Sequence, residues 1–171
     1  RYGVRRIPVV KRQALAGYDP RALKGTGVTC ATSPMGGDHT AGNTIGMPGL
    51  DPLGTAGQVE ASRAAQTLMA VFDSLGMCIF SAMPSEDAAV FGLVGEMLAG
   101  VYGGSWTPDD VLGRQTLENE KRFNAGAHID ASEDDVPAFM REEALPPHDS
   151  VFDIPREQLA STLDFSAGQR G

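Results

Sequence analysis

Cysteine is scarce in this chain: its 171 residues hold two, Cys30 and Cys78. Two thiols cannot build the disulfide framework of a small secreted scaffold, so a packed core must do that work and a reducing, cytoplasmic setting is expected. Long hydrophobic runs are missing as well. No stretch reaches the ~18 consecutive apolar residues of a membrane span. The basic opening Arg1-Tyr2-Gly3-Val4-Arg5-Arg6 is not followed by the apolar segment that a signal peptide needs. It also lacks an initiating Met, as a fragment or a processed product does. Strand-forming sequence is reduced to one β-branched run, Arg6-Ile7-Pro8-Val9-Val10, and Pro8 confines it to an extended edge or lead-in. An excess of positive charge is absent: 14 Lys and Arg stand against 22 Asp and Glu, a net charge of −8. That balance argues against nucleic acid or an anionic membrane as partner, since both reward surplus Lys and Arg. The acids read instead as helix starts and a solvated face.

What is present is an ordinary globular composition, 42% apolar and 21% charged, in a length that suits one domain with a core. The expected fold is all-α, an irregular multihelical domain over residues 1–171 with long Gly/Pro-rich loops and an extended lead-in over 1–17. Asp19-Pro20 predicts an N-cap and first helical residue, opening a helix through about Thr32. Apolar residues at Ala61, Ala65, Leu68, Met69 and Phe72 predict an amphipathic helix from Gly57 to Leu75. Val90, Phe91, Val94, Met97, Leu98 and Val101 predict another over 85–101. Thr107-Pro108-Asp109-Asp110 predicts a start for a helix to about Phe123. A short helix is expected after Ser132, and a last one from Pro155 to near Leu163. Between these, residues 34–52 form a glycine-rich loop of a length that usually serves function.

Two places carry chemistry. Asp73-Ser74-Leu75-Gly76-Met77-Cys78 follows directly on a helical pattern, with Gly76 as the expected stop. A carboxylate accepts two parallel hydrogen bonds from a planar N–H fork, and a thiolate is a soft metal ligand. The plain alternative is a helix that ends in water-facing acid and buried cysteine. Leu75 and Met77 fill apolar volume. The loop 34–52 carries His39 in Gly36-Gly37-Asp38-His39. An imidazole suits proton transfer near neutral pH, and Asp38 could orient it; otherwise His39 is a surface residue. Thr40 and Asn43 are nearby polar candidates. Cys30 reads as a buried thiol, Tyr18 as core, Arg21 and Lys24 as structural, and His128 and His148 as surface residues.

The block Gly17-Tyr18-Asp19-Pro20-Arg21-Ala22-Leu23-Lys24-Gly25, running through Cys30-Ala31-Thr32-Ser33-Pro34 to Asp38-His39 and joined later by Asp73-x-x-Gly76-x-Cys78, resembles the C-terminal domain of the aldehyde ferredoxin oxidoreductases. These are tungsten- or molybdenum-pterin enzymes. The resemblance extends from Val9-Val10-Lys11 to Pro146-Pro147-His148 and Val151-Phe152-Asp153. It implies that Asp73 contacts one pterin of a bis-molybdopterin tungsten or molybdenum centre, with Gly76 and Met77 in the same turn. It implies that Cys78 is the isolated fourth ligand of a [4Fe–4S] cluster, the other three lying on a part of the enzyme outside this chain. It implies that His39 sits beside the metal and serves substrate or proton transfer. Ala41 stands where some relatives have Lys, so that side-chain contact is lost, leaving Thr40 and Asn43. The implied activity is oxidation of an aldehyde to a carboxylate with electrons passed to ferredoxin. The implied partners are the remaining domains of the same enzyme and ferredoxin, with homo-oligomer formation open. The same motifs serve relatives that reduce aromatic acyl-thioesters. A non-catalytic scaffold domain is the rival from another class.

Overall fold

The computed structural model of the chain describes residues 3–82, 88–106 and 110–166. The order along the chain is β1 (Val9–Val10), β2 (Gln13–Ala14), α1 (Lys24–Thr32), α2 (Gln58–Ser74), α3 (Ile79–Ala82), α4 (Ala88–Tyr102), α5 (Asp110–Gly126), α6 (Ala138–Glu142) and α7 (Arg156–Ser161), with a 3₁₀ turn at Ala131–Glu133. The domain is helical and irregular, as the composition implied. The lead-in folds into a minimal antiparallel hairpin, Val9 opposite Ala14 and Val10 opposite Gln13. Its two turn residues, Lys11 and Arg12, have φ of 46° and 67°. Those positions normally take Asn-Gly, because a Cβ disfavours the left-handed region. Lys11 is held there by what its side chain reaches. Its ammonium donates to the carbonyls of Ala31 (2.8 Å) and Ser33 (3.0 Å) and pairs with Asp134 at 2.5 Å, both side chains being under a tenth exposed. A cation so placed satisfies the last carbonyls of α1. Burial lowers the Lys11 pKa and raises that of Asp134, so desolvation outweighs their mutual attraction in both.

α1 is the hub. Every one of its nine residues is buried, and it has no solvent-exposed face. It begins at Lys24 rather than at Pro20. Asp19 instead closes a turn, its Oδ1 accepting from the Arg21 backbone N–H at 2.9 Å and its carbonyl accepting from Ala22 and Leu23. The Asp-Pro signature is therefore a turn cap, and the pairing of Arg21 with the Asp19 carboxylate (2.7 Å) keeps it so. Val28 and Ala31 of α1 join Val59, Val136, Met140, Phe152, Ile154 and Leu159 in the main core. Each large side chain so buried contributes ~1.5–3 kcal/mol relative to exposure.

The side of α1 that meets α2 and the long loop is polar and hydrogen-bonded. Thr29 Oγ1 donates to the Gly42 carbonyl at 2.6 Å and lies 2.7 Å from Ser62 Oγ. Gln66 Nε2 donates to Thr32 Oγ1 and Ser62 Oγ. Thr26 Oγ1 bonds Thr44 and Asn43. This seam ties α1 and α2 to the long loop, so a segment without regular structure is nonetheless anchored at both helices.

α2 and α5 form the most extensive helix pair. α5 runs to Gly126, three residues beyond the expected end. The expected cap at Thr107–Asp109 and the start of the helix over 85–101 lie outside the described residues. α4 touches the body through Phe91, whose ring sits 5.9 Å from Phe72. Its Leu93, Met97 and Val101, spaced four apart, are exposed, as are Tyr102 and Trp106. None of the described helices is long and apolar enough to cross a membrane.

Candidate functional site

α2 ends in a Schellman turn. The Met77 N–H donates to the Phe72 carbonyl (2.9 Å), the Gly76 N–H to that of Asp73 (3.0 Å), and Gly76 adopts φ of +67°. That left-handed residue is why glycine stands here. A Cβ built on Gly76 would meet nothing within 4 Å, so the glycine serves backbone conformation and leaves the outer side of the bend open. Asp73 and Cys78, one on each side of this bend, are both exposed. The plain alternative of a buried terminal cysteine is therefore not what this turn presents. Met77 points the other way, half-buried against Met69 and Phe72 with Leu68, Ile79 and Phe91. It anchors the bend by packing.

Asp73 sits where the helix dipole is negative, which disfavours its charge. Its pKa is raised, first by partial burial and then by the Asp38 carboxylate. Glu120 of α5 is raised in turn, by burial and by Asp73. Asp38 also acts on Cys30, whose thiol burial pushes up to about 12. Asp73 on α2 thus couples to two other carboxylates, Asp38 of the loop and Glu120 of α5. The loop bearing His39 and the end of α2 share one side of the domain.

On the loop, Asp38 is fixed by its successor. Thr40 donates its backbone N–H to Oδ1 (3.0 Å) and its hydroxyl to Oδ2 (2.5 Å). His39 Nδ1 lies 3.7 Å from Asp38 Oδ1. The His39 ring is covered by that of Tyr18, with centroids 4.8 Å apart. Tyr18 is half-buried rather than core. Asn43 is turned inward: its Oδ1 accepts from Ile45 N–H at 2.8 Å and from Thr26. Arg21 and Lys24 are structural. Arg21 stacks on Phe139, and buried Lys24 pairs with Asp153 at 2.7 Å. Cys30 is buried, and His128 and His148 are exposed.

Sequence reasoning did not find Tyr18 or Glu120. Neither carries a local signal; Glu120 comes in on α5, which packs against α2, and Tyr18 meets His39 from the segment that precedes α1.

A family model described as aldehyde ferredoxin oxidoreductase, domains 2 and 3, matches residues 2–164. The chain belongs to the aldehyde ferredoxin oxidoreductase family. Its relatives include the tungsten-containing aldehyde ferredoxin oxidoreductases of Pyrococcus horikoshii, at 33% identity, and of Pyrococcus abyssi and Pyrococcus furiosus, each at 31%. Each match covers 80% of this chain and 24% of the relative, so the chain spans about a quarter of the length of these family members.

The donor set exposed on the bend is small. Among the described residues no group of three His, Cys, Asp or Glu side chains is placed to hold a metal ion. Cys78 is one exposed soft donor. Cys30 is buried in α1 while Cys78 is exposed, so the two thiols do not open onto one surface. Asp73 is an exposed acceptor on the same bend. Cys78 and Asp73 each offer a single contact to a bound group.

Proposed function

We propose that this chain forms one wall of the active site of a tungsten- or molybdenum-pterin oxidoreductase that oxidises aldehydes to carboxylates and passes electrons to ferredoxin. The observation that carries the reading is the bend 73–78: a Schellman turn that holds an acid and a thiol outward, five residues apart, on a rigid helix end. Asp73 would accept the adjacent N–H donors of a pterin's amino-pyrimidinone edge, the geometry in which a carboxylate matches a planar fork. Its elevated pKa supports this role, because a carboxylate crowded by Asp38 and Glu120 gains from a donor partner. Gly76 keeps the backbone clear for a flat group to approach. Cys78 would supply one thiolate to a [4Fe–4S] cluster whose other three come from the remainder of the enzyme. The metal–pterin centre, when bound, supplies the two-electron chemistry. The residues of this chain hold and orient it, and His39 moves a proton beside it. Thr40 and Asn43 keep the His39 loop in shape through their bonds to Asp38, Thr26 and Ile45. The apolar stripe Leu93, Met97 and Val101 on α4 is the surface that the rest of the enzyme would cover.

The test is made in the full-length enzyme. Cys78→Ser should lower iron per polypeptide and the cluster's visible absorption while tungsten or molybdenum is retained. Unchanged iron would remove the ligand role and leave a scaffold domain as the better reading.

A further inference from the structure

The environment of His39 is asymmetric, and the asymmetry assigns its two nitrogens different work. Nδ1 is buried and makes no hydrogen bond; the atom nearest it in charge is Asp38 Oδ1, 3.7 Å away. The side chain is nonetheless one-third exposed. Tyr18 lies over the ring at 4.8 Å with the planes inclined by 43°. A lone pair on Nδ1 would face a carboxylate in a poorly solvated place, which is repulsive; an N–H there is attracted.

We propose that Asp38 and Tyr18 are positioning residues that hold His39 in the Nδ1–H tautomer with Nε2 outward, making Nε2 the proton acceptor of this site. This rests on the proton-transfer role proposed above for His39.

Three features make the arrangement more than adjacency in sequence. Asp38 does not swing freely, because Thr40 holds both its oxygens. At 3.7 Å the pair is too long for a hydrogen bond, so the interaction is electrostatic, and a small ring rotation closes it when the site is occupied. Tyr18 limits that rotation from the ring's face. When Nε2 takes up a proton, Nδ1 keeps its own, and the imidazolium stands beside the Asp38 carboxylate. The other titratable groups around Asp38 are Asp73 on α2 and Cys30 on α1. Among the described residues, Asp38 is the charged group that pairs with Nδ1, and that contact sets the tautomer.

The experiment uses the full-length enzyme with ring-¹⁵N-labelled histidine, His39→Asn serving to assign the signal. Wild type should show the Nδ1–H tautomer at His39. Asp38→Asn removes the negative charge that faces Nδ1 while keeping an oxygen for Thr40, so it should shift the population toward Nε2–H. It should also lower kcat about tenfold, a fraction of what a positioned acid–base group contributes, with KM, tungsten and iron unchanged. In a His39→Asn background, Asp38→Asn should cost nothing further. Tyr18→Leu, which removes the ring lying over His39, should lower kcat. An Nε2–H tautomer in wild type overturns the inference, as does an equal kcat loss from Asp38→Asn with and without His39. If His39→Asn leaves kcat intact, the proton-transfer role fails, while the spectrum still decides the tautomer.

Discussion

Replacing Gly113 by Ala sets two known effects against each other, and their magnitudes decide the outcome. Gly113 lies inside α5 where it crosses α2. An exposed helical glycine changed to alanine gains ~1 kcal/mol, because alanine loses less backbone freedom on folding. At Gly113 the added Cβ would lie 2.2 Å from the Thr67 carbonyl oxygen and 3.0 Å from Thr67 Cγ2, whereas ordinary contact begins at 3.4 Å. The helices would have to part by more than an ångström. The obstacle is backbone of α2, which cannot rotate aside as a side-chain tip can. Overpacking of this kind costs ~1–3 kcal/mol and sometimes more. A backbone obstacle at 2.2 Å puts this case at the upper end of that range, so against the propensity gain a net loss of about 2 kcal/mol is expected, a fall of ~4–8 °C in Tm for a chain of this size. Thermal unfolding followed at 222 nm reads it directly. Gly100→Ala is the control. Gly100 is exposed on α4 with nothing within 4 Å of its added Cβ, so that change should raise Tm by ~2–4 °C. A Gly113→Ala protein as stable as wild type, with the control behaving as stated, would refute the close crossing. The crossing matters to the site because α5 carries Glu120, and because Asn124 Nδ2 donates to the Pro34 carbonyl (2.8 Å) at the start of the His39 loop.

Two further outcomes follow from charge. Asp73 has a raised folded-state pKa, so the folded chain binds a proton more tightly than the unfolded chain does. Its contribution to stability therefore falls as pH rises through the window above the ordinary carboxylate pKa. Asp73→Asn should raise Tm at pH 7, and the gain should shrink toward pH 3; an unchanged or lower Tm at pH 7 would contradict it. The two cysteines should separate under alkylation. Cys78 is exposed and Cys30 is buried with its thiol pushed up to about 12. Iodoacetamide at pH 8 should therefore mark Cys78 in the folded chain and Cys30 only in denaturant, as read by mass spectrometry. Marking of both at one rate would overturn the burial of α1.

The Asp73→Asn outcome illustrates a general tension. A carboxylate kept beside Asp38 and Glu120 costs the isolated chain stability, and such a cost is tolerated where a bound group later relieves it.

Local signals were legible from residue order because their physics is local. The stop at Gly76 needed only a helical pattern and a residue able to take positive φ. The span of α2 came from apolar spacing, the burial of Cys30 from its setting, and the family from a long motif block. Where one signal had two local solutions, the sequence misled: Asp19-Pro20 serves a helix start or a turn equally well, and the bidentate pairing with Arg21 chose the turn. α1 had no readable face, since a helix buried on every side has no amphipathic period. The hairpin turn at Lys11-Arg12 was invisible because its stabilisation comes from Ala31, Ser33 and Asp134, all at least twenty residues away. Residue types and their spacing determined which groups this protein has available for chemistry. Only the packing of α1, α2 and α5 decided which of them meet, placing Tyr18 on His39 and setting Asp38 near Asp73, because contact between distant segments depends on the whole core and not on any one segment's order.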